Sequence, residues 1–266
     1  MATQNEPESC PLETEQIGGV LTLTMNRPEV KNAIDMLQWR RITSTLEEAK
    51  LDPSVRVVIL TGANGVFSSG GQLGAGGPAH PLERMRIISA AAVALRDFPK
   101  PTIAKVPGPA IGGGWNVALC CDFVVCSSNA TFAQIFPRRG LSVDVGGSWL
   151  LPRLVGMQKA KLLMLTGDVL EAAEVERLGL VTQVTEPEEL DSAVATLAER
   201  LAAGPPVALS LTKALLHGAA GTDFASSLEA EAMAQAVNFA SEDIEIGLSA
   251  FKARETPSFT GRWRFE

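Results

Sequence analysis

A chain of 266 residues that is 46% hydrophobic and 20% charged can fill a sizeable core and is not a disordered composition. Its formal net charge of −7, with no Lys/Arg-rich run interleaved with aromatics, excludes the usual nucleic-acid binders, so any anion must be held locally by a few cations and backbone N–H groups. Four cysteines (Cys10, Cys120, Cys121, Cys126) without a C-x-x-C pair, and only two histidines (His80, His217), argue against a zinc site.

Residues 1–16 are polar and acidic, without the basic and apolar regions of a signal peptide, and are expected to be a flexible leader. No stretch is apolar for long enough to span a membrane, so the expectation is a soluble cytoplasmic protein. In GVLTLTMNRP (19–28), Leu21, Leu23 and Met25 alternate with threonines, which predicts a strand ended at Pro28. In IDMLQWRRITSTLEEAK (34–50), Trp39, Ile42, Leu46 and Ala49 fall three and four apart, a helical spacing with Asp35 as N-cap. VRVVILTG (55–62) reads as a buried strand and ANGVFSSGGQLGAGGP (63–78) as a loop. PLERMRIISAAAVALRDF (81–98) reads as a helix, and PTIAKVPG (101–108) and DFVVCS (122–127) as strands. This alternation to about residue 185 predicts an α/β core with mostly parallel strands. From about residue 187 the patterns are helical and Ala-rich. The expected division is therefore a core over 17–200 and a helical region over 201–266, which could cover the core or pack on another subunit.

Two loops have the same plan. VVILTGANGVFSSGGQL and PTIAKVPGPAIGGGWNVAL each run from strand through small residues towards a helix. Neither is a dinucleotide or phosphate loop. Val117 stands where the third glycine of G-x-G-x-x-G belongs, no Gly-Lys-Ser/Thr follows, and no G-x-S-x-G elbow surrounds Ser68, Ser69 or Ser148. If the strands are neighbours, the loops bring bare N–H groups to one crevice, where two converging donors suit an oxygen that becomes negative during reaction. Glycines that merely allow close helix–strand packing are the alternative for either loop alone.

The ordered series NRPEVKNA (26–33), VRVVILTGANGVFSSGGQL (55–73), KPTIAKVPGPAIGGGWNVALCCDFVV (100–125), GGSWLLPRLVGMQKAKLLMLTGD (146–168), AAEVERLGLVTQV (172–184), ALSLTKALL (208–216) and FTGR (259–262) resembles the crotonase, or enoyl-CoA hydratase/isomerase, superfamily over almost the whole chain. The resemblance implies a spiral of ββα units, with a helical C-terminal region that builds homotrimers or hexamers. It also implies an acyl-CoA thioester substrate and no further cofactor or metal. It places the oxyanion-hole N–H groups at Gly71 and Gly113. Gln72, Leu73 and Gly74 fall along the pantetheine arm and acyl chain, and Val30 and Lys31 near the nucleotide end of CoA. The loop carrying His80 would line the acyl pocket.

Two departures matter. The resemblance puts two hydration glutamates at positions held here by Asn116 and Phe136, and neither residue can act as a base. Asp144, in RRGLSVDVGGSW, stands where relatives without that glutamate pair carry a working aspartate. It is also well placed to be a helix N-cap, which would lower its pKa, whereas an apolar wall including Phe136 and Trp149 would raise it. The readings left open are a double-bond shift with Asp144 as acid/base, hydrolysis or dehalogenation with Asp144 as nucleophile, weak hydration, and acyl-CoA binding without turnover.

Overall fold

The computed structural model describes residues 11–74 and 80–265. Strands β1 (Leu12–Ile17), β2 (Val20–Met25), β3 (Val57–Gly62), β4 (Thr102–Val106), β6 (Phe123–Ser127) and β9 (Gln183–Thr185) form a six-stranded sheet in the order β1-β2-β3-β4-β6-β9. Every pairing in it is parallel except the β1–β2 hairpin. A smaller sheet joins β5 (Ala110–Ile111), β7 (Thr131–Ala133) and β8 (Val169–Glu171). Residues 12–16, expected to belong to a flexible leader, are instead strand. Their polar side chains face outward while the backbone pairs along β2, with Leu12 the one buried residue of the strand.

The sheet is covered on both faces, as a parallel sheet must be. Along β3 the period of two sends Val58 and Leu60 into one core and Val57 and Ile59 into another. The first core contains Leu23, Met25, Phe67, Trp115 and Phe132, together with Trp39, Ile42, Leu46 and Ala49 of α1 (Met36–Leu51) and Ala91 and Leu95 of α2 (Pro81–Arg96). The second packs against Leu190, Val194 and Ala198 of α6 (Leu190–Ala202). Asp35 caps α1 as its position predicts, accepting from Gln38 N at 2.8 Å.

Six further helices frame the site or follow the core. They are α3 (Gly113–Leu119), α4 (Gly147–Thr166, broken at Gly156), α5 (Ala172–Arg177) and the C-terminal helices α7 (Pro206–Ala219), α8 (Phe224–Phe239) and α9 (Asp243–Ala253). The ion pair of Lys213 on α7 with Asp122 before β6, at 2.7 Å and with side chains only 11% and 16% exposed, pins α7 to the core. No described helix is long and apolar enough to cross a membrane.

Candidate active site

The two glycine loops meet because β3 and β4 are neighbours. Phe67 and Ser68 donate their N–H groups to Pro109 O at 3.1 Å, and Ile111 N donates to Ser68 O at 2.9 Å. Beyond this seam lie Gly71, bridged to Ile34, and Gly113, the first residue of α3. Neither N–H donates to another described residue. A methyl built on Gly113 would sit 3.7 Å from Gly71 N, so one small space faces both donors.

Each glycine of the triplet does something different. Gly112 takes a φ of 56°, a left-handed conformation that glycine adopts readily. Gly113 borders the open space. Gly114 lies against Ser68, where a Cβ would come within 2.7 Å of that residue's own Cβ.

Asp144 closes the same space. Its Oδ1 would lie 3.4 Å from a Cβ on Gly113, and it is buried without a hydrogen-bond partner among the described residues. The capping alternative does not hold. The residue at the start of α4 is Gly146, no side chain caps the helix, and Gly147 N donates to the backbone carbonyl of Asp144 at 3.0 Å. Burial therefore dominates and pushes the Asp144 carboxyl up to about 6, against a weaker opposing pull from its own backbone.

Asn116, on α3, is wholly buried. Its Nδ2 donates to Asp144 O at 2.9 Å and its Oδ1 accepts from Gln134 Nε2 at 2.8 Å. Phe136 is buried too, and its ring would lie 3.7 Å from a Cβ on Gly112. Trp149 is not an inner wall. It is 38% exposed and sits between the guanidinium groups of Arg96 at 4.5 Å and Arg153 at 3.9 Å. Gln134 escaped the sequence reading because its role depends on a partner eighteen residues away.

The profile of the enoyl-CoA hydratase/isomerase family matches residues 15–262. The chain belongs to that family. Within it, the chain is 35% identical over 251 residues to the 1,2-epoxyphenylacetyl-CoA isomerase of Escherichia coli K12, covering 92% of this chain and 96% of that protein. It is 34% identical over 262 residues to the crotonyl-CoA hydratase of Syntrophomonas wolfei, covering 96% and 99%. A crystal structure of an enoyl-CoA hydratase from Polaromonas sp. JS666 superimposes with a TM-score of 0.88 at 32% identity, covering 93% and 99%. The fold is thus the crotonase fold and the family acts on acyl-CoA thioesters. An isomerase and a hydratase at nearly equal identity mean that membership does not choose the chemistry.

The residues that the family resemblance assigns to CoA lie together. Ser69 N donates to Lys31 O at 3.0 Å, Ser69 Oγ to Val30 O at 3.1 Å, and Gln72 N to Ile34 O at 2.9 Å. The side chain of Gln72 is held by Arg27 at 2.7 Å, while Val30, Lys31, Leu73 and Gly74 are exposed. Lys31 forms no ion pair among the described residues.

His80 sits at the N-terminus of α2. Its Nδ1 accepts from Leu82 N at 3.2 Å and so caps α2, at an exposed position. Residues 75–79 of the loop before it lie outside the described residues. Cys120 and Cys121 are buried, with burial pushing the Cys120 thiol up to about 12 and Cys121 upward as well, so neither is a nucleophile at neutral pH. No group of three or more His, Cys, Asp and Glu residues that could hold a metal is present among the described residues.

Proposed function

We propose that this protein is an acyl-CoA isomerase that shifts a double bond, with Gly71 and Gly113 polarising the thioester carbonyl and Asp144 carrying the proton. The observation behind this reading is the unpartnered Asp144 Oδ1 beside two unengaged N–H donors in one small space.

Two backbone donors stabilise the enolate oxygen as charge moves onto it, which acidifies the α-carbon of a 3-enoyl thioester. Asp144, as carboxylate, takes the α-proton. The electron pair spreads into a dienolate, and the same proton returns to the γ-carbon, leaving the 2-enoyl ester and a regenerated carboxylate. A carboxyl raised to about 6 is ionised at neutral pH yet basic enough to take a carbon-bound proton. Hydration would need a second acid/base to activate water, and Asn116 and Phe136 offer none at the positions where the resemblance places one. Lys31, exposed and unpaired, is proposed to meet a phosphate of CoA.

Purified protein incubated with a 3-enoyl-CoA should produce the conjugated 2-enoyl ester, seen as new thioester-conjugation absorbance, with no 3-hydroxyacyl product by mass spectrometry. A hydroxyacyl product formed as fast as the conjugated ester would overturn the proposal in favour of hydration. Oxygen-18 entering the Asp144 carboxylate after one turnover in labelled water would instead identify Asp144 as a nucleophile.

We also propose assembly into homotrimers or hexamers through the C-terminal helices. Leu216, Phe224 and Phe251 are 71%, 78% and 82% exposed, and a cavity of about 460 Å³ between α7 and α8 is lined mainly by apolar residues such as Leu215, Met233 and Val237. Light scattering should give three or six chain masses. A monomer at micromolar concentration would refute the assembly.

A further inference from the structure

We propose that Asn116 and Gln134 are positioning residues for Asp144, an amide pair that holds the turn carrying the carboxylate against the free N–H groups of Gly71 and Gly113. This rests on Asp144 being the proton carrier.

The turn is not one the chain adopts freely. Val145 has a φ of 50° and Gly146 a φ of 76°, two successive left-handed residues, the first of them β-branched. Such a conformation persists only where its surroundings over-determine it. The contacts that do so converge on the carbonyl of Asp144, which accepts Asn116 Nδ2 at 2.9 Å and Gly147 N at 3.0 Å. A side chain on Gly147 would overlap the Asn116 amide, so the glycine there makes room for this bond. On the other side Cys120 Sγ approaches Val145 O at 3.8 Å.

The amide of Asn116 can sit in only one sense. Turned over, its oxygen would face the Asp144 carbonyl, an acceptor against an acceptor in a site with no exposure. The Asp144 carbonyl, which can only accept, therefore fixes the sense, and Gln134, itself 0% exposed, answers it by donating to the Asn116 oxygen. The same geometry explains why position 116 is not an acid. A carboxylate there would offer only acceptors to a carbonyl oxygen, so the residue that supports Asp144 must donate. With the turn held, Oδ1 of the part-buried Asp144 stays out of water, and no charged side chain contributes to its raised pKa.

The test separates position from mere stability. The Asp144 carboxyl can be followed by carbon NMR in protein labelled at the aspartate side-chain carboxyl, its signal assigned by its loss in Asp144→Asn, alongside kcat and KM on a 3-enoyl-CoA. In Asn116→Ala the titration should fall by about one unit as water reaches the carboxyl. Its kcat should drop at least ~10-fold with KM within about threefold. Gln134→Met, close in shape but unable to donate, should move both readouts the same way by less, and it decides the matter if Asn116→Ala does not fold. A titration that stays put in whichever variants fold overturns the proposal, even if melting temperature falls. If the titration moves as expected while Asp144→Asn turns over at the wild-type rate, positioning stands and the proton-carrier role falls.

Discussion

Asp144→Asn should abolish most isomerase turnover while making the protein more stable at neutral pH. The kinetic half follows from removing the carboxylate beside the oxyanion space, a loss of about 10²–10⁴-fold in kcat with the two N–H donors untouched. In the wild type, kcat/KM should rise with pH through an apparent pKa of about 6, because the free enzyme must hold Asp144 ionised, and the residual activity of the variant should lack that limb. The stability half follows from linkage. The native carboxyl has its pKa raised from 3.8 to about 6, so between those values the native state binds the proton and the unfolded state does not. Stability therefore falls as pH rises through the window, and the full penalty is present above pH 6. Full linkage would amount to about 3 kcal/mol, and partial contact with solvent reduces this to ~1–2 kcal/mol. Asparagine carries no charge to bury, so its melting temperature should exceed that of the wild type at pH above 7, by about 2–4 °C per kcal/mol, with the gap closing below pH 4. An undiminished kcat would remove Asp144 from the mechanism. A melting temperature that drops equally at both pH values would show that the carboxyl is not strained by burial.

The sequence showed the long elements because their periods ran for several turns or several residue pairs. Trp39, Ile42, Leu46 and Ala49 could only be one face of a helix, and Leu21, Leu23 and Met25 one face of a strand. The small sheet was invisible because β5, β7 and β8 are two or three residues long, too short to show a period of two. Strand β1 was misread because an edge strand with one buried side chain has the composition of a loose terminus. Among site residues, Gly71 and Gly113 were readable as a pair once two loops of like plan followed strands that could be neighbours. Whether Asp144 caps or reacts was not readable, because it turns on which acceptor takes the Gly147 N–H. The backbone carbonyl takes it, leaving the carboxyl unbonded. Nor could the left-handed φ of Val145 be foreseen, since valine is among the residues least suited to it.

Gly113→Ala should fold and be nearly inactive, whereas Gly114→Ala should be damaged in stability first. The added methyl at 113 meets Asp144 Oδ1 at 3.4 Å, Val145 Cγ2 at 3.5 Å and Gly71 N at 3.7 Å, all ordinary contacts, and the residue is not left-handed. Nothing in the fold opposes it, and the reduced freedom of the unfolded chain adds about 0.4–1 kcal/mol of stability. But the methyl occupies the space that both donors face, so the thioester oxygen can no longer reach them. Loss of one oxyanion donor raises barriers by about 2.7–4 kcal/mol, and displacing the oxygen from both should lower kcat/KM by at least ~10²–10³-fold. At 114 the Cβ would lie 2.7 Å from Ser68 Cβ and 2.8 Å from Ser68 O, and because backbone must yield, about 1–3 kcal/mol of stability is lost. Gly71 completes the comparison. A Cβ there meets nothing within 4 Å, so Gly71→Ala keeps its N–H in place and should retain activity within about tenfold. Melting temperatures and kcat/KM for the three variants therefore separate neighbouring glycines by what each one does. A fully active Gly113→Ala would mean that the carbonyl binds elsewhere, because no thioester oxygen can share that space with a methyl group.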